Sequence, residues 1–148
     1  MTGLSWGDDV SEEHKRLVEK IFNPISEVFQ LPEMQLDAFL ALTSSGPAYL
    51  ALIAEALADG AVAAGLPRHL AQQLTNLTIE GTSRLLKEKE LHPGELKDMV
   101  ASPAGTTIAA VRKLEKAGLR SAFIEAVVAA FERSQELSDI SSQRSRTK

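Results

Sequence analysis

The stretch Ser102-Pro103-Ala104-Gly105-Thr106-Thr107 has the residue types needed to grip an anion without a charged side chain. Pro103 and Gly105 bend the chain and permit close approach. The two threonines then open a helix through Ile108, Val111 and Leu114. The first N–H groups of a helix have no internal acceptor and sit at the positive end of its dipole. Such a corner can hold a carboxylate or a phosphate. The same pattern also serves as an ordinary capped helix start. A second corner, Thr43-Ser44-Ser45-Gly46-Pro47, separates two helical runs. There Ser45 or Gly46 can cap, and Pro47 suits the first turn of the next helix.

Other chemistries find little support. The chain has no cysteine, which removes disulfides and thiol catalysis and suits a reducing compartment. His14, His69 and His92 are scattered, so no metal site is expected, and each reads as a surface or capping residue. No Ser/His/Asp set has a recognisable spacing, and no G-x-G-x-x-G follows a strand. A net charge of −4 leaves no basic footprint for nucleic acid. No apolar run approaches about 20 residues, and the start, Met1 to Asp9, does not read as a signal peptide. The expectation is a cytoplasmic protein with no membrane role.

The elements that must position these corners follow from periodicity. At 148 residues the chain can build one domain with a core, and its Ala- and Leu-rich, aromatic-poor composition favours helices. Residues 1–10 read as irregular. Ser11 caps a helix with a Leu17, Val18, Ile21, Phe22 stripe, ended by Asn23-Pro24. Ile25 to Leu31 reads equally as a short strand or a loop. A lone strand has nothing to pair with, so it would be the last piece of something larger or an edge for another chain.

After a helical run from Met34 to Leu42, the helix from Pro47 to Ala64 is apolar on almost every side. Only Glu55 and Asp59 interrupt it. Such a helix must be surrounded by protein. Too few other helices are present to supply that shell, which argues for a dimer of interlocking helices over a monomeric bundle.

Gly65-Leu66-Pro67 starts the next helix, Pro67 to Lys89, with a Leu70, Leu74, Leu77, Gly81, Leu85 stripe. Gly81 within it calls for close approach of another backbone. Arg84, Lys87, Glu88 and Glu90 form its wet end. His92-Pro93-Gly94 is a turn, and Glu95 to Ala101 a short helix. The helix opened by the threonines closes at Gly118. A last helix, Leu119 to Leu137, buries Phe123, Ala126, Val127, Ala130 and Phe131. Ser138 to Lys148 is expected to be a disordered tail, and Arg144, Arg146 and Lys148 are too few to define an RNA or membrane role.

Taken in order, three stretches resemble the C-terminal domain of the pyrroline-5-carboxylate reductase family. They are Thr43 to Tyr49; Ala58-Asp59-Gly60 with Gly65-Leu66-Pro67-Arg68; and His92 to Asp98 leading to Ser102 through Ile108. The resemblance runs from about Ser11 to Leu137. It implies an all-α fold, a helical bundle that interlocks with a second subunit, preceded by a remnant helix and short strand of a Rossmann-type domain. Residues 1–33 would be that remnant and linker, 34–137 the dimerisation and substrate domain, and 138–148 the tail.

The implied reaction is hydride transfer from NADPH or NADH to the cyclic imine of pyrroline-5-carboxylate, giving proline in the last step of its biosynthesis. The implied partners are a second copy, with larger homo-oligomers possible, and the small-molecule substrate. By the same resemblance, Ser102, Gly105, Thr106 and Thr107 bind the substrate, with the backbone N–H groups of Gly105 and Thr106 on its carboxylate. Thr107 would be the catalytic position, orienting the ring nitrogen. Ser45, Gly46 and Pro47 would face the nicotinamide end of the cofactor. Glu90 lies where some members carry an acid near the site. The family usually has Ser-Gly-Ser-Gly-Pro at residues 43–47 and Ser-Pro-Gly-Gly at residues 102–105. If the glycine replaced by Ala104 needs positive φ, alanine strains the turn. With the nucleotide-binding part missing, the chain alone is expected to be inactive. Two alternatives remain at this stage: a non-catalytic helical oligomerisation module, and the helical domain of another imine or hydroxyacid dehydrogenase.

Overall fold

The computed structural model describes the backbone of residues 1–146 and the side chains of residues 1–140. It divides into two compact units, one of residues 1–47 with 124–148 and one of residues 48–123.

The first unit begins with a βαβ arrangement. Strand β1 (Thr2–Leu4) pairs in parallel with β2 (Val28–Gln30), and helix α1 (Glu12–Phe22) connects them. The register sets Thr2 opposite Val28, Gly3 opposite Phe29 and Leu4 opposite Gln30. The irregular start expected for residues 1–10 is therefore corrected: it supplies the partner that the strand within 25–31 lacked. The cause is non-local, since Thr2 N–H reaches the Glu27 carbonyl at 2.9 Å and Leu31 N–H the Leu4 carbonyl at 2.9 Å. Three residues per strand carry too little pattern to read alone.

Ser11 caps α1 as expected, its hydroxyl accepting from His14 N–H at 3.3 Å. Lys15 pairs with Glu12 at 2.7 Å and holds that carboxyl below the usual range. Gln30 bridges the elements, accepting from the Trp6 indole at 3.3 Å and donating to Glu19.

A 3-10 turn (Glu33–Gln35) leads into α2 (Leu36–Thr43), which packs on one face of the two strands. The Phe29 and Phe39 rings lie 6.1 Å apart at 51°. Gly3 is needed here, because a Cβ on it would come within 3.0 Å of the Phe39 ring. Asp37 of α2 accepts from Ser134 at 2.5 Å and so ties in the last helix, α7 (Leu119–Arg146). The expected inward stripe of α7 is half-buried at Phe123, Ala126, Val127, Ala130 and Phe131, while its flanking residues are exposed. α7 runs past Leu137 to Arg146, so the segment expected to be a disordered tail is helical from Ser138 to Arg146. No glycine or proline interrupts those residues. Lys148 lies outside the described residues.

The second unit holds most of α3 (Gly46–Ala63), with α4 (Arg68–Lys89), α5 (Pro93–Val100) and α6 (Thr106–Lys116). Gly65, at φ 106°, ends α3, and Leu66 N–H donates back to the Ala61 carbonyl at 3.0 Å. Pro67 is the cap of α4 rather than its first helical residue. Arg68 bridges the turn to Asp59 at 2.5 Å, an exposed pair of modest worth.

Among the described residues the buried positions are Ala41, Ala58, Ala71 and Thr75, and no large side chain is fully enclosed. On α3, Leu50 is 51%, Leu52 66% and Leu57 50% exposed. Among the described residues, nothing beyond Gly81's own stretch of helix lies within 4 Å of a Cβ built on it. The close approach expected at Gly81 is therefore not made within the chain.

One expectation about apolar length is corrected. The helical stretch Glu33–Ala63 is long and apolar enough to cross a membrane by length and composition. The turn, α2 and α3 follow one another almost without a break, which the interruption at Ser44-Ser45 hides in the sequence.

Gly3→Val should cost about 1–3 kcal/mol, the usual penalty for forcing extra atoms into a filled site. Urea denaturation measures it, and an unchanged midpoint would mean that α2 does not seat on the strands.

Candidate functional site

The turn before α6 is built from its sequence in four steps. Gly105 N–H donates to the Ser102 carbonyl at 3.1 Å, closing a four-residue turn. Pro103 sits at its second position, where a fixed φ is favourable. Ala104 sits at its third, with φ 56°. Positive φ at that position is the type II pattern, which normally asks for glycine. The conditional expectation about Ala104 is thus met: it adopts a left-handed backbone, at a cost of about 1–2 kcal/mol.

Gly105 is the N-cap of α6, and no side chain caps that end. A Cβ on Gly105 would be driven into the Ser102 hydroxyl and come within 3.1 Å of the Ser102 carbonyl. Glycine is favoured here by these contacts rather than by positive φ, since its φ is −79°.

The donor assignment changes accordingly. Gly105 N–H is spent on Ser102 and is not a free donor. Thr106, Thr107 and Ile108 occupy the first three helical positions, whose N–H groups have no intrahelical acceptor. Ile108 was not singled out from sequence. The signal was available, because any third helical residue brings such a group. The Thr107 side chain lines a cavity of about 580 Å³. Its walls come from α4 (Leu77, Gly81, Leu85) and α5 (Leu96, Lys97, Val100). The lining is mostly apolar, and the Thr107 hydroxyl brings a donor and acceptor into it.

Ser45, Gly46 and Pro47 lie in the first unit. Ser45 directly precedes α3, and its N–H donates to the Leu40 carbonyl at 3.3 Å. Gly46 and Pro47 are the first two helical residues. Nothing lies within 4 Å of a Cβ built on Gly46. Glu90 is the C-cap of α4, in a left-handed conformation with φ 51°. His92 caps α5, its Nδ1 accepting from Gly94 N–H at 3.1 Å, which matches its reading as a capping residue. Among the described residues no group of His, Asp and Glu could hold a metal ion.

A two-stranded parallel βαβ fragment is followed along the chain by helices with large exposed apolar side chains, which makes this a mostly helical fold with uncovered apolar faces. The chain belongs to the family described as pyrroline-5-carboxylate reductase dimerisation, which it matches over residues 33–137. It is 51% identical over 137 residues to the pyrroline-5-carboxylate reductase of Synechocystis, covering 93% of this chain and 51% of that protein. The pea enzyme of the same name is 47% identical over 135 residues, covering 91% and 50%. Among solved structures, the pyrroline-5-carboxylate reductase of Coxiella burnetii superposes with a TM-score of 0.84 at 39% identity, covering 91% of this chain and 50% of that one. The NADP-bound pyrroline carboxylate reductase of Plasmodium falciparum also gives 0.84, at 32% identity and 90% and 55% coverage. The chain spans about half the length of the curated relatives it matches.

Ala104→Gly should stabilise the chain by about 1 kcal/mol, since glycine takes positive φ without penalty. Gly105→Ala should destabilise it through the Ser102 contact. Paired urea melts read both, and equal midpoints for the two variants would contradict the turn geometry.

Proposed function

We propose that this chain is the dimerisation and substrate domain of a pyrroline-5-carboxylate reductase, an NAD(P)H-dependent oxidoreductase acting on a C=N bond in proline biosynthesis. The observation that carries the reading is the open end of α6. Three backbone N–H groups without intrahelical acceptors stand beside a cavity-lining hydroxyl, Thr107. A small ring carrying a carboxylate and a nitrogen needs that combination. The carboxylate takes the N–H groups of Thr106 and Thr107 and the dipole's positive end. The Thr107 hydroxyl orients the ring nitrogen, and its ordinary acidity makes it a positioning group before it is a proton donor. Ser102 closes the turn, and Gly105 keeps a Cβ out of it.

The cofactor fits this chain poorly. NADPH or NADH supplies hydride when bound, and a dinucleotide needs a glycine-rich turn after a strand. Here β1 is followed by Ser5-Trp6-Gly7-Asp8, which is not such a turn. Ser45, Gly46 and Pro47 can face only one end of the molecule. The chain alone is inactive in this reading. The absence of cysteine is compatible with the cytoplasm.

The second copy is part of the same proposal. The exposed leucines of α3 and the open space over Gly81 are what an interlocked homodimer would cover. The alternative is a non-catalytic oligomerisation module with the same fold. The strained Ala104 at the substrate turn is the observation that favours it.

Calorimetry with proline separates the two. Weak binding is expected, and its loss in Thr107→Ala with the dimer intact in sedimentation would support the substrate role. No binding to the folded dimer would favour the module. Turnover of pyrroline-5-carboxylate with NADPH by this chain alone, at an ordinary enzyme rate, would overturn the predicted inactivity.

A further inference from the structure

Two charged residues interrupt the apolar surface of α3, and their situations differ. Asp59 is held by Arg68 of the same chain at 2.5 Å. Glu55, one turn earlier, makes no hydrogen bond or ion pair among the described residues. It lines a cleft of about 520 Å³ between α3 and α4, whose other polar residues are Asp59, Arg68, Gln72 and Asn76. The carboxamides of Gln72 and Asn76 lie one turn apart on α4 and are likewise without a partner among the described residues. The cleft thus holds an acceptor-only group on one wall and two donor groups on the other, and they do not meet.

Leu52 precedes Glu55 by three residues and so lies on the same side of α3. Leu52 is 66% exposed, and Leu77, next to Asn76 on α4, is 56% exposed. A second copy that covers Leu52 covers Glu55 with it. A carboxylate shut from water without a donor is strongly unfavourable. The covering surface must therefore bring a donor. In a two-fold dimer that surface is the same surface turned round, so what one copy gives it also receives. The cleft carries donors that fit, since Arg68 is spent on Asp59 while the two carboxamides are left unspent by their own chain.

We propose that Glu55 of each copy accepts hydrogen bonds from the partner's Gln72 and the partner's Asn76, and that these reciprocal contacts set the register of the homodimer. The proposal rests on the homodimer reading above and goes beyond it by naming the residues that choose the partner. Leucines attract any apolar surface in any register. A polar contact that is costly when misplaced rejects the wrong ones. The partner it selects is a second copy of this chain.

Two variants of the full chain test this, Glu55→Leu and the double variant Gln72→Leu with Asn76→Leu. Each alone leaves both junctions of its dimer mismatched. In sedimentation, each dimer should dissociate at least about tenfold more readily than the unaltered one. Mixed together, the two variants match at both junctions: one is apolar on apolar, and the other is the original contact. With one variant isotopically labelled, native mass spectrometry should find the mixed dimer well above the statistical half. Mixing should also restore the dimer where a variant alone is monomeric. A statistical mixture, or no restoration, would overturn the proposal, because a contact within one chain gains nothing from mixing. A monomeric unaltered chain sinks the homodimer reading and the proposal with it. A dimer that the substitutions leave unchanged sinks the proposal alone.

Discussion

A helix that is apolar on nearly every side cannot rest in water, and α3 is such a helix. Ala58 is its one buried residue, while Leu50, Leu52 and Leu57 stay about half exposed or more. Full burial of each leucine is worth about 1.5–3 kcal/mol relative to exposure. The fold therefore leaves a large part of its stabilisation unrealised within one chain. The family to which the chain belongs is described by dimerisation, and the second copy proposed above would recover that stabilisation. Small buried residues at Ala41, Ala58 and Ala71 fit the same logic, since they bring backbones together and leave the large side chains turned outward.

The turn before α6 shows how local strain and open chemistry coexist. The Ser102 carbonyl takes the Gly105 N–H, and that bond fixes where the helix begins. Fixing the start leaves the following N–H groups without intrahelical acceptors. Ala104 carries the backbone cost of the corner. Gly105 keeps the corner clear of a Cβ that would strike Ser102. A site of this kind depends on backbone placement more than on side-chain charge, and it suits a protein whose net charge is only −4.

The βαβ fragment has a different standing. Parallel pairs normally lie inside larger sheets covered on both faces. Here α2 covers the Gly3 and Phe29 side, and the pair is held further by Trp6, Gln30 and Glu19. Ile21 and Ile25 remain more than half exposed. The relatives are about twice as long as this chain.

Much of the helical layout was legible from residues alone. Ser11, Asn23, Gly65, His92 and Gly118 mark helix ends through hydrogen bonds and φ values that involve only near neighbours. The half-buried stripe of α7 follows from the 3.6-residue period. Reading Ala104 against a glycine pattern raised a left-handed backbone as a condition, and its φ of 56° meets it. What the residues did not disclose involves partners far along the chain. β1 needed β2, 24 or more residues away, before either was a strand. The Gly105 N–H looked free until the Ser102 carbonyl took it, and the wall opposite Thr107 exists only because α4 and α5 fold to face each other. Local sequence sets which backbone shapes are cheap. Only tertiary packing decides which donors stay unpaired and which apolar faces stay uncovered, because those depend on groups that proximity in sequence does not bring together.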